Sequence, residues 1–276
     1  MNCGKVKAHI IKWLEKILKD SGQKGFVIGV SGGVDSAVVS TLCAETGHPF
    51  LCISMPIHQS QEHLERAHLH MKGLKKTYNH YEGMEIDLTQ TFDYMKTDLG
   101  DVSELALANT RSRLRMTTLY AWANTKNYLV AGTGNKIEDM GVMFFTKGGD
   151  GLVDLSPIGD LKKTQIWKLA KYLTIDDSII QAKPADGLWY DNRSDEEAIG
   201  ASYPDLERIM DYCESLYINS RQDYQNLIDL EMIIPLKEPD EKILMVYLLR
   251  HEAGGHKMKM PPICHINCHG NMSGRC

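Results

Sequence analysis

The chain has 276 residues, of which 43% are hydrophobic and 24% charged, and its net charge is −5. That balance suits a globular protein with one substantial core and gives no electrostatic reason to expect nucleic acid or an anionic membrane as partner. No apolar run reaches membrane-span length, and Lys5, Lys7, Lys12, Lys16 and Lys19 interrupt the N-terminal apolar pattern, which argues against a signal peptide and for a cytoplasmic protein.

An amphipathic helix over residues 6–19 opens the chain, with Ile10, Ile11, Trp13, Leu14, Ile17 and Leu18 on its apolar side. Strands are expected at 26–30, 50–54, 84–86, 128–131 and 151–155, alternating with helices at 36–45, 61–72, 88–99 and 103–127. This alternation predicts an α/β fold, a doubly wound, mostly parallel sheet with helices on both faces. Beyond about residue 156 the pattern turns helical, at 161–173, 203–217, 221–230 and 240–254. With no repeat and no linker, residues 1–262 read as one domain and 263–276 as an extended tail. Seven scattered cysteines form no disulfide framework; Cys43 and Cys52 fall on core elements. The tail's Cys264, Cys268 and Cys276, with His265 and His269, follow no recognisable metal-ligand spacing.

The segment Gly29-Val30-Ser31-Gly32-Gly33-Val34-Asp35-Ser36 joins the first strand to a helix. A glycine-rich strand-to-helix turn directs backbone N–H groups and hydroxyls at an anion, and the spacing is neither a Walker loop nor a Rossmann fingerprint. Asp35 repels phosphate, so its place there calls for a bridging divalent cation such as Mg²⁺. Glu138, just past Thr133-Gly134-Asn135 at another strand end, is the best second carboxylate. Arg111 and Arg115 share one helix face with Arg113 opposite, and a guanidinium suits phosphate or carboxylate equally. The segment 144–154 combines two aromatics, Lys147, Asp150 and Asp154 on a Gly-rich loop fit for a planar ring. Lys163 opens a helix where the dipole disfavours cations, which suggests that it serves an anion.

The Ser-Gly-Gly-x-Asp-Ser loop resembles the pyrophosphate loop of N-type ATP pyrophosphatases, with their adenine nucleotide alpha hydrolase-like fold. Together with Arg113-Leu114-Arg115-Met116, Gly132-Thr133-Gly134-Asn135, Glu138, Phe145-Thr146-Lys147, Lys163, Asp195-Glu196, Tyr203 and His256-Lys257, in that order, the chain resembles the NAD synthetases. The resemblance implies a C–N ligase that amidates deamido-NAD through an adenylated nicotinate carboxylate, with ATP and Mg²⁺, releasing AMP and pyrophosphate. It implies Gly29, Val30, Ser31, Gly32, Gly33, Val34, Asp35, Ser36, Thr133 and Lys163 for ATP, and Asp35 and Glu138 for magnesium. Arg113, Arg115, Lys147, Asp150, Asp154, His256 and Lys257 are implied for deamido-NAD. Asp35, Lys163 and Asp150 are the residues implied in the chemistry itself. A homodimer is implied as well. The chain lacks room for the amidohydrolase domain of glutamine-using relatives, so free ammonia is the expected nitrogen source, with delivery by a separate glutaminase chain left open.

Three positions depart from the family pattern: Ala185 replaces an ATP-contacting threonine, Ser54 stands where some relatives have arginine, and Met258 follows His256-Lys257 in place of arginine. The alternatives are another member of the superfamily acting on a purine nucleotide or tRNA base, or a non-catalytic nucleotide-binding homologue. The net charge of −5 and the scattered thiols argue against a tRNA substrate, and retention of Asp35 and Glu138 argues against loss of catalysis.

Overall fold

The computed structural model of the chain describes residues 1–189 and 193–264. Residues 190–192 and the tail from 265 onward, with its Cys/His cluster, lie outside the described residues. Helix α1 (Cys3–Ser21) starts at Asn2, whose side chain accepts from the Lys5 N–H at 3.0 Å, and stops at left-handed Gly22; one face buries Ile10, Leu14 and Leu18. There follow β1 (Gly25–Gly29), α2 (Val34–Glu45), β2 (Phe50–Ser54), α3 (Gln61–Thr77), β3 (Tyr81–Glu85), α4 (Thr89–Leu99), α5 (Glu104–Lys126) and β4 (Tyr128–Val130). A π-helical turn, Lys136–Gly141, comes next. The remainder is α6 (Lys163–Tyr172), α7 (Asp177–Ile180), α8 (Asp195–Ile199), α9 (Tyr203–Leu216), α10 (Arg221–Asp229), α11 (Asp240–Gly254) and a 3₁₀ turn at Gly255–Lys257.

The four strands are parallel in the order β3-β2-β1-β4. Strand β1 is covered on both faces, so it reads as a continuous apolar run. Phe26 and Ile28 pack with α1, α2 and α6, while Val27, Leu51 and Ile53 pack with α4 and α5. Each of these five side chains is fully buried, and such burial contributes about 1.5–3 kcal/mol per residue. A third apolar layer joins Ile137 of the π-helix to Tyr203, Leu206 and Met210 of α9 and Leu244 and Leu248 of α11.

The strand expected at 151–155 is reduced to a single parallel bridge between Ala131 and Leu155. Tight turns take its beginning instead: the N–H groups of Gly149 and Gly151 both donate to the Thr146 carbonyl, and that of Leu152 to Gly149. Among the described residues no helix is long and apolar enough to cross a membrane. The sheet order places β2 on one side of β1 and β4 on the other, which opens a crevice at the carboxyl ends of β1 and β4.

Candidate active site

A cleft of about 710 Å³ occupies that crevice. Its floor is the loop from Gly29 to Ser36. Within it the Ser31 N–H donates to Ser36 Oγ (3.2 Å), the Gly33 N–H to Ser31 Oγ (3.3 Å), and Ser36 Oγ to the Gly33 carbonyl (3.0 Å). Gly32 has φ of +84°, and a Cβ there would come within 2.3 Å of the His63 carbonyl oxygen, so only glycine fits. The first N–H groups of α2 have no intrahelical partner, and at the positive end of the helix dipole such groups suit an anion.

Opposite this loop, Asn135 is fully buried. Its Oδ1 accepts from the N–H groups of Ile137 and Glu138, both at 3.1 Å, and its Nδ2 donates to Asp35 Oδ1 at 3.4 Å. It thereby starts the π-helix and ties it to α2. The Val142 N–H reaches the Ile137 carbonyl at 2.9 Å, the i to i+5 pattern of a π-turn, a device common at functional sites. Glu138 is carried into the cleft by this turn.

Lys163, at the start of α6, closes the group. Its Nζ donates to Asp35 Oδ2 at 2.6 Å and to Glu138 Oε1 at 3.0 Å, and the side chain is only 2% exposed. Burial alone would push this ammonium down, but Asp35, Glu138 and Asp195 hold it above its ordinary range. Burial raises the Asp35 carboxyl, Lys163 opposes that, and Glu138 adds to it. Glu207 of α9 caps α6, accepting from the Thr164 N–H (2.8 Å) and hydroxyl (2.7 Å). Tyr203 donates its hydroxyl to Glu138 Oε1 at 2.5 Å, and that hydroxyl lies 3.3 Å from Asp195 Oδ2. Burial, with Glu138 adding to it, pushes the Asp195 carboxyl up to about 7.

Two carboxylates facing one cation, beside a phosphate-type loop, form a donor set that fits Mg²⁺, which takes one or two carboxylates and completes its shell with phosphate and water. Here the Lys163 ammonium already supplies one positive charge between them.

The expected residues divide into two groups. The loop 29–36, Thr133, Glu138, Lys163, Arg115, Asp150 and Lys257 line the cleft. Arg115 turns toward the end of β2, donating to the Met55 carbonyl (3.0 Å) and Gln59 Oε1 (2.9 Å), and burial lowers it to about 10. Asp150 Oδ1 accepts from Ser112 Oγ (2.6 Å) and the Thr146 N–H (2.9 Å); the residue keeps an exposed edge, but dense surrounding protein raises its carboxyl. Lys257 donates to the carbonyls of Met143 (2.8 Å) and Phe145 (2.7 Å), fastening the 3₁₀ turn to the loop that leads to Asp150.

Arg113, Lys147, Asp154 and His256 do not line the cleft. Arg113 donates to the Lys147 carbonyl at 3.2 and 3.3 Å, and Lys147 Nζ to the His256 carbonyl at 3.0 Å, so these three form an exposed cluster beyond its rim. Asp154 accepts from the Val130 N–H (2.7 Å) and the Tyr120 hydroxyl (3.1 Å). Of the departing positions, Ala185 lines the cleft, while buried Ser54 donates to Glu85 Oε2 at 3.2 Å. Residues 182–189 bend over one side, where the Asp186 N–H donates to Asp195 Oδ1 at 2.9 Å. Asn135, Tyr203 and Asp195 stood in the sequence motifs without a role; buried polar residues beside a carboxylate were the available signal.

The NAD synthase family model matches residues 6–242. The chain belongs to the NAD synthase family. The NH(3)-dependent NAD(+) synthetase of Archaeoglobus fulgidus is 37% identical over 273 residues, 96% of this chain and 98% of the relative. That of Carboxydothermus hydrogenoformans is 39% identical over 207 residues, 73% of this chain and 82% of the relative. Among solved structures, the NMN synthetase of Francisella tularensis superposes with a TM-score of 0.81 at 27% identity, covering 95% of this chain and 98% of that one. The NH3-dependent NAD synthetase of Campylobacter jejuni, in complex with nitrate, gives 0.74 at 26% identity, covering 96% of this chain and all of that one. As an NAD synthase family member the chain is an ATP-using C–N ligase, and none of these relatives favours a purine or tRNA substrate.

Proposed function

We propose that this chain is a cytoplasmic, ammonia-dependent NAD(+) synthase that amidates deamido-NAD, working as a homodimer whose residues 1–262 form one domain. The observation that carries the reading is the Asp35–Lys163–Glu138 group facing the glycine-rich loop across one cleft. In this reading the loop 29–36, Thr133 and Lys163 hold ATP, and Asp35 and Glu138 hold Mg²⁺. When bound, that ion neutralises phosphate charge and orients the α-phosphorus.

A nicotinate carboxylate oxygen attacks the α-phosphorus, and the bond to pyrophosphate breaks. The N–H groups of the loop and Lys163 Nζ meet the charge that grows on the leaving group. Ammonia then attacks the adenylated carbonyl carbon. The free Oδ2 of Asp150 takes the proton that nitrogen sheds, and the bond to AMP breaks. The raised carboxyl of Asp150 suits it to that transfer. Arg115 and Lys257 keep the dinucleotide side of the cleft in shape. The exposed cluster of Arg113, Lys147 and His256, with Asp154, serves the far end of deamido-NAD close to the second subunit.

The assay supplies ATP, Mg²⁺, deamido-NAD and ammonium and follows NAD, AMP and pyrophosphate; the expected ratio is one to one to one. Glutamine in place of ammonium should give no NAD unless a glutaminase chain is added. Absence of product with either donor refutes the reading. The fold match to an NMN synthetase supports a second acceptor, nicotinate mononucleotide. Comparing kcat/KM for the two acceptors decides between them, and light scattering tests the dimer.

A further inference from the structure

Arg66 belongs to none of the motifs above, yet it lines the cleft beside the phosphate loop. Its Nε donates to the Gly32 carbonyl at 3.2 Å, the one point where α3 grips that loop by a side-chain hydrogen bond among the described residues. The peptide's other end, the Gly33 N–H, points the opposite way, onto Ser31 Oγ at 3.3 Å. A Cβ on Gly32 would approach Arg66 Cβ to 3.3 Å, so the arginine stem and the loop are in close contact.

The charge of Arg66 is poorly balanced within the chain. Its side chain is 16% exposed, and its ion-pair partner Glu62 lies 4.0 Å away with 86% exposure. So open a pair contributes little, and a largely enclosed cation with a single neutral acceptor is left needing an anion. Arg250, also of the cleft, donates to the carbonyls of Ala198 and Ile199, and three further cations are engaged differently. Lys163 has two carboxylates, Lys257 two carbonyls, and Arg115 points to the end of β2. Only one of the five N–H donors of Arg66 is taken up by the loop.

We propose that Arg66 binds the pyrophosphate leaving group, its Nε fixing Gly32 while its terminal nitrogens grip the β- and γ-phosphates. The inference rests on the ATP-dependent reading above. In that step a carboxylate oxygen bonds to the α-phosphorus, the α–β bridging P–O bond breaks, and its electron pair leaves with pyrophosphate. A guanidinium fork matches the two phosphate oxygens on which that charge collects. Arg66 reaches the loop from α3 at Gly32, while Lys163 meets it from α6 at Asp35.

The test compares product inhibition by inorganic pyrophosphate and by AMP in the wild-type enzyme and in Arg66→Gln, with Arg66→Met substituted if the glutamine variant does not fold. The expected result is that pyrophosphate inhibition weakens by about tenfold or more while AMP inhibition changes less than about twofold. Arg66→Lys, which keeps the charge without the fork, should fall between. Unchanged pyrophosphate inhibition in a folded, charge-free variant overturns the proposal. Parallel weakening of both inhibitors also overturns it, because Arg66 then only shapes the loop. A wild-type chain that forms no NAD sinks the reading of the reaction instead, and direct titration of pyrophosphate into wild type and variant still reports on Arg66.

Discussion

Lys163 holds the first position of α6, where a positive charge opposes the helix dipole. The cost is offset by Asp35 and Glu138, which both contact its Nζ. A lysine whose folded value is raised contributes stability that is fully present below its unfolded value, hence throughout the neutral range. Lys163→Met leaves two enclosed carboxylates facing each other and should lower stability by about 3 kcal/mol at neutral pH. At mildly acidic pH the loss should shrink, since the raised Asp35 carboxyl becomes neutral by taking a proton. Calorimetric melts at the two pH values check this; an equal loss at both counts against a charge origin. Asp150 calls for a different measurement, because its proposed proton transfer belongs to the second half-reaction. Asp150→Asn should reduce NAD formation by about 10²–10⁴-fold while leaving adenylation, read as acceptor-dependent exchange of labelled pyrophosphate into ATP, within about threefold. Loss of both activities together would show that Asp150 matters mainly as the anchor joining Ser112 and Thr146.

Helices α2 and α3 carry opposite parts of the loop's support, and a buried hydrogen-bond chain joins them. His70 Nε2 lies 2.7 Å from Ser40 Oγ, which donates to the Ser36 carbonyl at 2.7 Å, in the first turn behind the loop. Burial lowers His70 to about 4 from 6.5. Between those values the unfolded chain binds the proton and the folded chain does not, so His70 makes stability fall as pH falls through that window. The total is about 3 kcal/mol. Asp195, raised to about 7, acts in the opposite direction over much of the same range, so the wild-type curve alone is not diagnostic. The difference between wild type and His70→Gln cancels Asp195. Urea titrations from about pH 7 to about pH 4 should show the wild type losing about 3 kcal/mol more than the variant; parallel curves would refute a buried neutral imidazole. Among the long elements, α1 was legible from its apolar period and α5 from its clear caps, at Ser103 and at left-handed Asn127. The four-residue α7 and five-residue α8 are too short to carry a period, and the π-turn that aims Glu138 has no sequence period of its own. Strand β3 begins at Tyr81, three residues ahead of the expected start, because Glu82, Gly83 and Glu85 of this edge strand give no apolar run.

At the scale of the whole molecule most of the sheet was readable because β1, β2 and β4 are local apolar runs, and the cleft followed from the loop at the end of β1. The pairing of Lys163 with Asp35, 128 residues apart, was not, since no local pattern encodes which strand end meets which helix start. The same holds for the distal segment. Nothing in the run around His256-Lys257 tells that Lys257 Nζ would close on the carbonyls of Met143 and Phe145, or that Gly254 would pack so tightly on Met143 that an added Cβ would stand 2.1 Å from the Met143 Cβ. That contact joins α11 to the loop bearing Asp150, so truncations on either side of Lys257 test where the functional domain ends. A chain ending at Pro262 retains Lys257 and should keep the wild-type kcat, KM and melting temperature. A chain ending at Gly255 loses both carbonyl contacts, which should loosen residues 143–150 and raise KM for deamido-NAD by about tenfold or more, with KM for ATP changed less. Steady-state kinetics on the two truncations check the contrast. If the shorter chain binds deamido-NAD normally, Lys257 is not what holds the acceptor side of the cleft together, and the domain ends at α11.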